Sequence, residues 1–451
     1  MGVEGEVSGR KRHKCRGMAE RELRGMGMGM VNNFHDYITT VLFVAFIGSI
    51  TFEYTFCNIK LHIMEFNYRK MHYIMASSGG SPLKYGGVYM SKVKVAIIGQ
   101  GRSGRDIHGK YFLSEANEHY EVVAVVDRDE SRRARALTEY PGCRVYADYT
   151  ELFGQTDIDL VVNSTYSQDH YPVSRDLMEH GFNVLVEKPM ARNYIEAATL
   201  LNVAKANNVF FAVFQQTFLA PYFLNAKEII ASGKLGEIKQ VEIKYNGFSR
   251  RWDWQTIQEN MAGGVYNTGP HPIGLALDFL DFSDDMRVAY SKLDCAFTSG
   301  DANDMAKIIL VAPGKPVVEV QVNSNDPFSN YNLKVLGTKG CLQSTINDYK
   351  LKYIVDGENP EQPVQPEFLR DENGLPMYCR EQLKFHEEEG SVTGTAFAAA
   401  TASFYEMMYD SLVNGAELKV KPENIAKLVN VMEIVHAQNP LPVTYLGGKH
   451  V

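Results

Sequence analysis

A bilayer crossing takes about 20 apolar residues, and the 451-residue chain's candidate for one, the uncharged and mostly apolar stretch 37–52 between Asp36 and Glu53, has only 16. A spanning helix is therefore not expected. The six cysteines, Cys15, Cys57, Cys143, Cys295, Cys341 and Cys379, are scattered and form neither a C-x-x-C nor a Cys/His cluster. That argues against a disulfide framework and against a zinc site, so no metal is expected and reduced thiols in the cytoplasm are. Positive charge is in short supply too. Lys+Arg number 46 against 54 Asp+Glu, a net charge of -8, the wrong sign for a protein that grips nucleic acid with its whole surface. A small-molecule partner fits better. What is present is ordinary for a globular chain, 45% hydrophobic and 22% charged, and the length suggests two or three domains.

Composition changes sharply near residue 90. Residues 1–90 carry 11 Lys+Arg and 7 Asp+Glu, whereas 91–451 carry 35 and 47, so the second part is distinctly acidic. The first segment also holds 9 of the 18 methionines and the low-complexity run Gly25-Met26-Gly27-Met28-Gly29-Met30. It shows no sustained amphipathic period and reads as an extension, either disordered or lying upstream of a true start at Met90. A cleaved leader, or an apolar tether through 37–52, are the other readings. Glu6 stands where a myristoylation signal needs Ser or Thr, so no lipid anchor is expected.

From about 91 to 215 strands and helices alternate. Val93-Lys94-Val95-Ala96-Ile97-Ile98 is a β-branched run that stops at Gly99-Gln100-Gly101-Arg102-Ser103-Gly104, a G-x-G-x-x-G directly after a strand. Such a turn offers main-chain N–H groups at a helix start to a pyrophosphate, and side chains at its first two glycines would block the approach. A second strand, 121–126, ends in Asp127, 23 residues after Gly104, where a carboxylate can hold the ribose hydroxyls of an adenosine. Capping of the helix 130–137 by Asp127 or Asp129 is the alternative. Asp127 would repel a 2'-phosphate, which favours NAD; the adjacent Arg128 leaves NADP open. Further units follow: a capping box at Asp148 and Glu151, strands 158–163, 183–186 and 209–214, and helices 172–180 and 194–206. They imply a parallel sheet covered on both faces, with the ligand at the strands' carboxyl ends.

Two features sit at those ends. Glu187-Lys188-Pro189 places a lysine on the cofactor-facing edge, against the plainer reading of a surface ion pair between Lys188 and Glu187. Asn163-Ser164-Thr165 matches a glycosylation sequon but ends a core strand, so Ser164 and Thr165 read as a cofactor-side loop. Gln216 follows the last strand and is placed at the cofactor as well. Beyond it the pattern becomes strands with one wet face (241–245, 288–296, 307–311, 317–322, 333–336), a mostly antiparallel sheet, closed by late helices whose stripe Ile425, Leu428, Val429 and Met432 reads as core. Within this part, glycines and a proline bracket Asn267 and His271, whose spacing of four puts them on one face of a helical turn. Arg251, Trp252 and Trp254 are pocket, lid or core candidates.

Taken together, Gly99 to Gly104, Asp127, Glu187-Lys188-Pro189, the Gly263-Gly264 segment ending in His271, and Gly337-Thr338-Lys339-Gly340 resemble the glucose-fructose oxidoreductase and inositol dehydrogenase family (Gfo/Idh/MocA) over about 91–451. The resemblance implies a Rossmann domain (91–215) followed by an α+β substrate and oligomerisation domain (216–451). It also implies an NAD(P)-dependent dehydrogenase of sugars, cyclitols or related polyols, in which Lys188 and His271 flank the nicotinamide. A homodimer or homotetramer is implied by analogy. Asn267 stands in the place of the family's aspartate. That departure motivates a rival expectation, a cofactor-binding sensor or regulator of the same fold with little or no catalysis.

Overall fold

The computed structural model describes residues 92–394, 397–447 and 449–450. The expectations for residues 1–90, including a tether through 37–52, lie outside the described residues. Among the described residues no helix is long and apolar enough to cross a membrane.

The first sheet has six strands, β1 (Val93–Ile98), β2 (Tyr120–Val126), β3 (Arg144–Tyr146), β4 (Leu160–Asn163), β5 (Val184–Val186) and β6 (Phe211–Val213). Their order is β3-β2-β1-β4-β5-β6 and every pairing is parallel. This is the doubly wound dinucleotide-binding order, in which the chain reverses direction between β1 and β4 and leaves a crevice at their carboxyl ends. The strands are buried because helices cover both faces, so they read as β-branched runs rather than alternating ones. Local chemistry fixes the helix starts. Asp129 accepts from the N–H groups of Ser131 and Arg132 to open Glu130–Glu139, and Asn193 accepts from Glu196 N–H to open Tyr194–Ala206. The capping box at Asp148 and Glu151 is present on a 3-10 turn. After the glycine turn the first helix begins with a π-helical segment, Gly104–Gly109, before Lys110–Phe112.

The second sheet has eight strands, β7 (Ile238–Lys244), β8 (Arg287–Asp294), β9 (Met305–Val311), β10 (Val317–Asn323), β11 (Leu333–Gly337), β12 (Gly340–Ser344), β13 (Asp348–Tyr353) and β14 (His386–Ser391). Their order is β14-β13-β12-β11-β7-β10-β9-β8, antiparallel apart from the β7/β10 pair. Val241, Ile243, Val318, Val320, Leu333 and Val335 point to the buried face, and the intervening Glu242, Lys244, Glu319 and Gln321 to the other. The helix Pro270–Phe279 packs on β7 and β10.

The last two helices return to the first sheet. On Ala398–Asn414, Tyr405 stacks on Tyr111 at 4.4 Å and Phe404 meets Phe214 edge-on at 5.0 Å. Pro422–Gln438 buries Ile425, Leu428, Val429 and Met432, as the stripe predicts, and packs against the Tyr194–Ala206 helix, β6 and β8.

Candidate active site

The glycine turn is held by its neighbours. Gly99 has φ +89°, and a Cβ there would lie 2.5 Å from the Ser164 carbonyl oxygen. Gly104 is tighter still, since its Cβ would lie 1.7 Å from the Gly99 carbonyl oxygen. The Ser164 hydroxyl donates to the carbonyls of Ile98 and Gly99 and ties the β4 end to the turn. Gly101 differs: nothing but Arg132 Nη1, at 3.9 Å, comes within 4 Å of the site of its Cβ. That face of the turn opens into a cleft of about 1310 Å³, lined among others by Gly99, Gly101, Arg102, Ser103, Asp127 and Arg128. The volume exceeds the roughly 300–1,000 Å³ of a pocket for one drug-sized ligand. A dinucleotide fits this cradle: the glycines keep the turn compact, and the cleft runs on past Ser164 and Thr165 to Glu187, Lys188 and Gln216.

Asp127 and Asp129 divide the work that the sequence left open. Asp129 is the helix cap. The Asp127 carboxylate accepts from Gln100 N–H at 2.7 Å through Oδ2 and from Asp129 N–H at 2.9 Å through Oδ1, with Arg132 Nη1 at 3.4 Å, and it lines the cleft. Gln100 corrects the expectation for that residue. It does not line the cleft, because its N–H is taken by Asp127 and its side chain is turned into the interior, so its contribution is to seat Asp127 rather than to touch a ligand. Asn163 is fully buried, donating to His170 O and Ser174 Oγ, which removes it as a glycosylation site.

The Glu187-Lys188-Pro189 segment follows β5, and its Lys188–Pro189 peptide bond is cis. The surface ion pair is not what forms. Glu187 turns inward, 3% exposed, to His108, while the Lys188 ammonium donates to the main-chain oxygen of Asn267 at 2.6 Å. Burial lowers the Lys188 pKa; the Glu187 carboxylate opposes that, and Arg102 and Arg251 add to it. Asn267 and His271 both line the cleft, although not as one helical turn: Gly264–Asn267 ends before Pro270–Phe279 begins, with Thr268 and Gly269 between. The part of Asn267 that binds the lysine is its backbone carbonyl, which an aspartate would offer equally; its side-chain oxygen accepts from Gln255 Nε2 at 3.4 Å.

His271 Nδ1 shares a hydrogen bond with the Thr217 hydroxyl, and its ring lies nearly parallel to Tyr245 at 6.2 Å. Burial, with the nearby Lys188 charge, lowers its pKa to about 3. The imidazole is therefore neutral at physiological pH. In the tautomer whose Nδ1–H donates to Thr217 Oγ1, Nε2 is the nitrogen that can take a proton. Sequence reasoning missed Thr217, which carries no motif and is known only by its place after Gln216. Gln216 itself is buried at the cleft, with its side-chain oxygen lacking a hydrogen-bond partner. Arg251 and Trp254 line the cleft, whereas Trp252 is 78% exposed and belongs neither to core nor to cleft.

The low pKa has a consequence for stability. His170, His271 and His436 are all held below the usual imidazole value, burial being the leading cause for each. The unfolded chain takes up these protons near pH 6.5 and the folded chain does not, so their contribution is intact above about pH 6.5 and is lost on acidification, at up to about 1.4 kcal/mol per pH unit for each group. Thermal melts should show Tm falling from pH 7 to pH 5, and less steeply in His271→Asn. Parallel slopes for the two proteins would refute this.

Comparison with known proteins agrees with the architecture. The model of the oxidoreductase family with an NAD-binding Rossmann fold (GFO_IDH_MocA) matches residues 93–215, and that of the GFO/IDH/MocA C-terminal domain matches residues 223–343. An uncharacterized oxidoreductase of Schizosaccharomyces pombe is 35% identical over 191 residues, 42% of this chain and 52% of that protein. The scyllo-inositol 2-dehydrogenase (NADP(+)) IolW of Bacillus subtilis is 27% identical over 187 residues, 41% of this chain and 51% of that protein. In these two alignments the chain spans about half the length of each relative. The crystal structure of GenD2 from gentamicin A biosynthesis in complex with NAD superposes with a TM-score of 0.61 at 20% identity, covering 79% of this chain and 97% of that one, which shows a shared fold. The two family models between them account for more than half of the sequence, and the chain belongs to the Gfo/Idh/MocA family of NAD-binding oxidoreductases.

Proposed function

We propose that the protein is an NAD(P)-dependent dehydrogenase acting on a secondary hydroxyl of a sugar, cyclitol or related polyol. The observation that carries this reading is that Lys188 and His271 line the same cleft as the glycine turn, near enough that the lysine's charge depresses the imidazole's pKa. When bound, the nicotinamide supplies the hydride acceptor or donor. Lys188 Nζ, fixed by Asn267 O, hydrogen-bonds the reacting oxygen and stabilises negative charge on it. His271 Nε2 takes the hydroxyl proton, its ring oriented by Thr217. A side cavity of about 290 Å³ opens beside Asn267 and Thr268; Asn246, Gln255, Asn303 and Asn323 line it together with Arg251 and with Asp304, whose carboxylate is taken by the main-chain N–H groups of Ala296, Phe297 and Thr298. Asn303 Nδ2 is buried there without a partner. The four amides are neutral donors and acceptors that suit hydroxyl groups, which supports a polyol. IolW is by its name an inositol dehydrogenase.

For the cofactor, Asp127 favours NAD. Asp127→Ser should raise the NADP-to-NAD affinity ratio about tenfold or more, the effect of removing a like-charge contact of about 1.4 kcal/mol or more, measured by fluorescence titration with the two reduced cofactors. An unchanged ratio would remove Asp127 from the adenosine end. The specific observation favouring the second reading, a cofactor-responsive regulator, is that His271 is a weak base and that no carboxylate stands at 267 to strengthen it. Purified protein incubated with NAD or NADP and a panel of sugars and cyclitols separates the two. Cofactor reduction supports the dehydrogenase, and tight NAD(H) binding without turnover supports the regulator.

A further inference from the structure

Behind the cleft, the Glu187-Lys188 segment is backed by a line of buried polar groups that the proposed reaction does not use. His108, in the π-helical segment, is fully buried. Its Nε2 lies 3.1 Å from Glu187 Oε1, and its Nδ1 lies 2.7 Å from the hydroxyl of Tyr405, which sits 297 residues further along the chain on the Ala398–Asn414 helix. The second oxygen of Glu187 accepts the main-chain N–H of Lys188 at 3.1 Å. Around His108 the other close ring is Phe214, edge-on at 4.5 Å, which offers no competing polar partner. The directions follow from what each group can do. An ionised carboxylate only accepts, so His108 Nε2–H donates to Glu187, and Nδ1 then accepts from the Tyr405 hydroxyl.

We propose that His108, oriented by Tyr405, is a positioning residue that keeps Glu187 an ionised, fixed carboxylate beside Lys188, so that the lysine retains its ammonium in a cleft that would otherwise strip the charge. The inference rests on reading Lys188 as the group that faces the reacting oxygen. Burial pushes the Glu187 carboxyl upward, yet the hydrogen bond from His108, together with the nearby Lys188 ammonium, holds it below its ordinary value. Lys188 is pulled down by burial and by Arg102 and Arg251, and the charge that opposes them is that of Glu187. His271, the other titratable group facing Lys188, is neutral, and His170 behind it has its ring nitrogens at 2.8 Å from the carbonyl of Pro189 and 3.2 Å from that of Thr165, to one of which its single N–H donates. Tyr405 is surrounded by the phenols of Tyr111, Tyr120 and Tyr140, none of them charged at neutral pH. Without the His108 donor, Glu187 Oε1 is a buried carboxylate oxygen with no hydrogen bond and only the Lys188 N–H remains on Oε2, which favours the neutral acid, so Glu187 takes up a proton and Lys188 loses its counter-charge.

The test reads the lysine directly. Trace acetylation with acetic anhydride from about pH 6 to about pH 11 modifies only the unprotonated amine, and mass spectrometry of the Lys188 peptide against that of exposed Lys110 gives the midpoint. His108→Leu should lower the midpoint by about one unit or more, the ordinary consequence of losing an opposite charge within about 4–6 Å. His108→Gln, which keeps an N–H near the Nε2 position, should restore it, and Tyr405→Phe should produce a smaller fall in the same direction. Superimposable midpoints for wild type and His108→Leu would overturn the proposal. Should His108→Leu not fold, a Tyr405→Phe midpoint equal to wild type overturns it instead. Protection of Lys188 from acetylation by NADH tests the cleft assignment separately. Loss of protection alone would sink the dehydrogenase reading and leave the His108 result standing.

Discussion

Lys188→Ala will lower turnover by about 10²- to 10⁴-fold while leaving NAD(H) affinity within a few-fold of wild type, because in the proposed reaction the ammonium acts on the reacting oxygen and not on the dinucleotide's phosphates. Its anchor, the Asn267 carbonyl, belongs to the second part of the chain, whereas its strand belongs to the first, so the lysine spans the place where the two meet. Lys188→Arg should fare little better. A planar guanidinium cannot replace a point charge held at 2.6 Å from one carbonyl in a half-buried position. Steady-state reduction of the nicotinamide, paired with fluorescence titration of NADH, checks both halves of the expectation. Turnover near the wild-type value in Lys188→Ala would remove the residue from the chemistry.

The second large effect comes from a pair of glycines that look alike in the motif and differ in the structure. Gly104→Ala would bring a methyl to 1.7 Å from the Gly99 carbonyl and 2.6 Å from Ser164 Oγ, so the turn must break; a stability loss of at least about 1–3 kcal/mol is expected, together with loss of cofactor binding. Gly101→Ala meets nothing inside 3.9 Å. It should fold with stability within about 0.5 kcal/mol of wild type, and still lose NAD(H) affinity by about tenfold or more, since its methyl stands where a pyrophosphate must approach the backbone. Calorimetry and NADH titration on the two variants separate a folding defect from a binding defect. Wild-type affinity in Gly101→Ala would mean that the cradle holds something other than a dinucleotide.

The elements that the sequence makes legible are those whose local chemistry and burial agree. β-branched runs ending in glycine or acidic residues mark β1 and β2, the Asp148 and Glu151 capping box marks its turn, and Pro313-Gly314-Lys315-Pro316, between the runs 307–311 and 317–322, marks the β9–β10 hairpin. The outer strands β12 to β14 are not legible in the same way. His386–Ser391 is HEEEGS, an edge strand with hardly any apolar residue, and it exists because β13 offers it a ladder and Lys352 offers Glu387 a partner at 2.6 Å. In the site, glycines, Asp127, Lys188 and His271 are visible because each carries a spacing. Thr217, His108 and Tyr405 are not, since what defines them is a contact across 54, 79 or 297 residues of chain, and nothing in a local window encodes it. Asn267 misleads for a related reason: attention falls on its side chain, while the atom that matters is a carbonyl common to every residue.

The return of the last two helices to the first sheet has a consequence for how the chain is made. Tyr111, Phe112, Tyr120 and Phe214 receive their cover from Phe404 and Tyr405, and the Tyr194–Ala206 helix receives its cover from Pro422–Gln438. A ribosome adding about 5–20 residues per second needs roughly 10–40 s after β6 has emerged to supply these helices. During that interval the nucleotide-binding half carries bare aromatic faces and an unsupported His108. Exposed apolar surface of that kind is prone to aggregation until the carboxyl-terminal helices cover it.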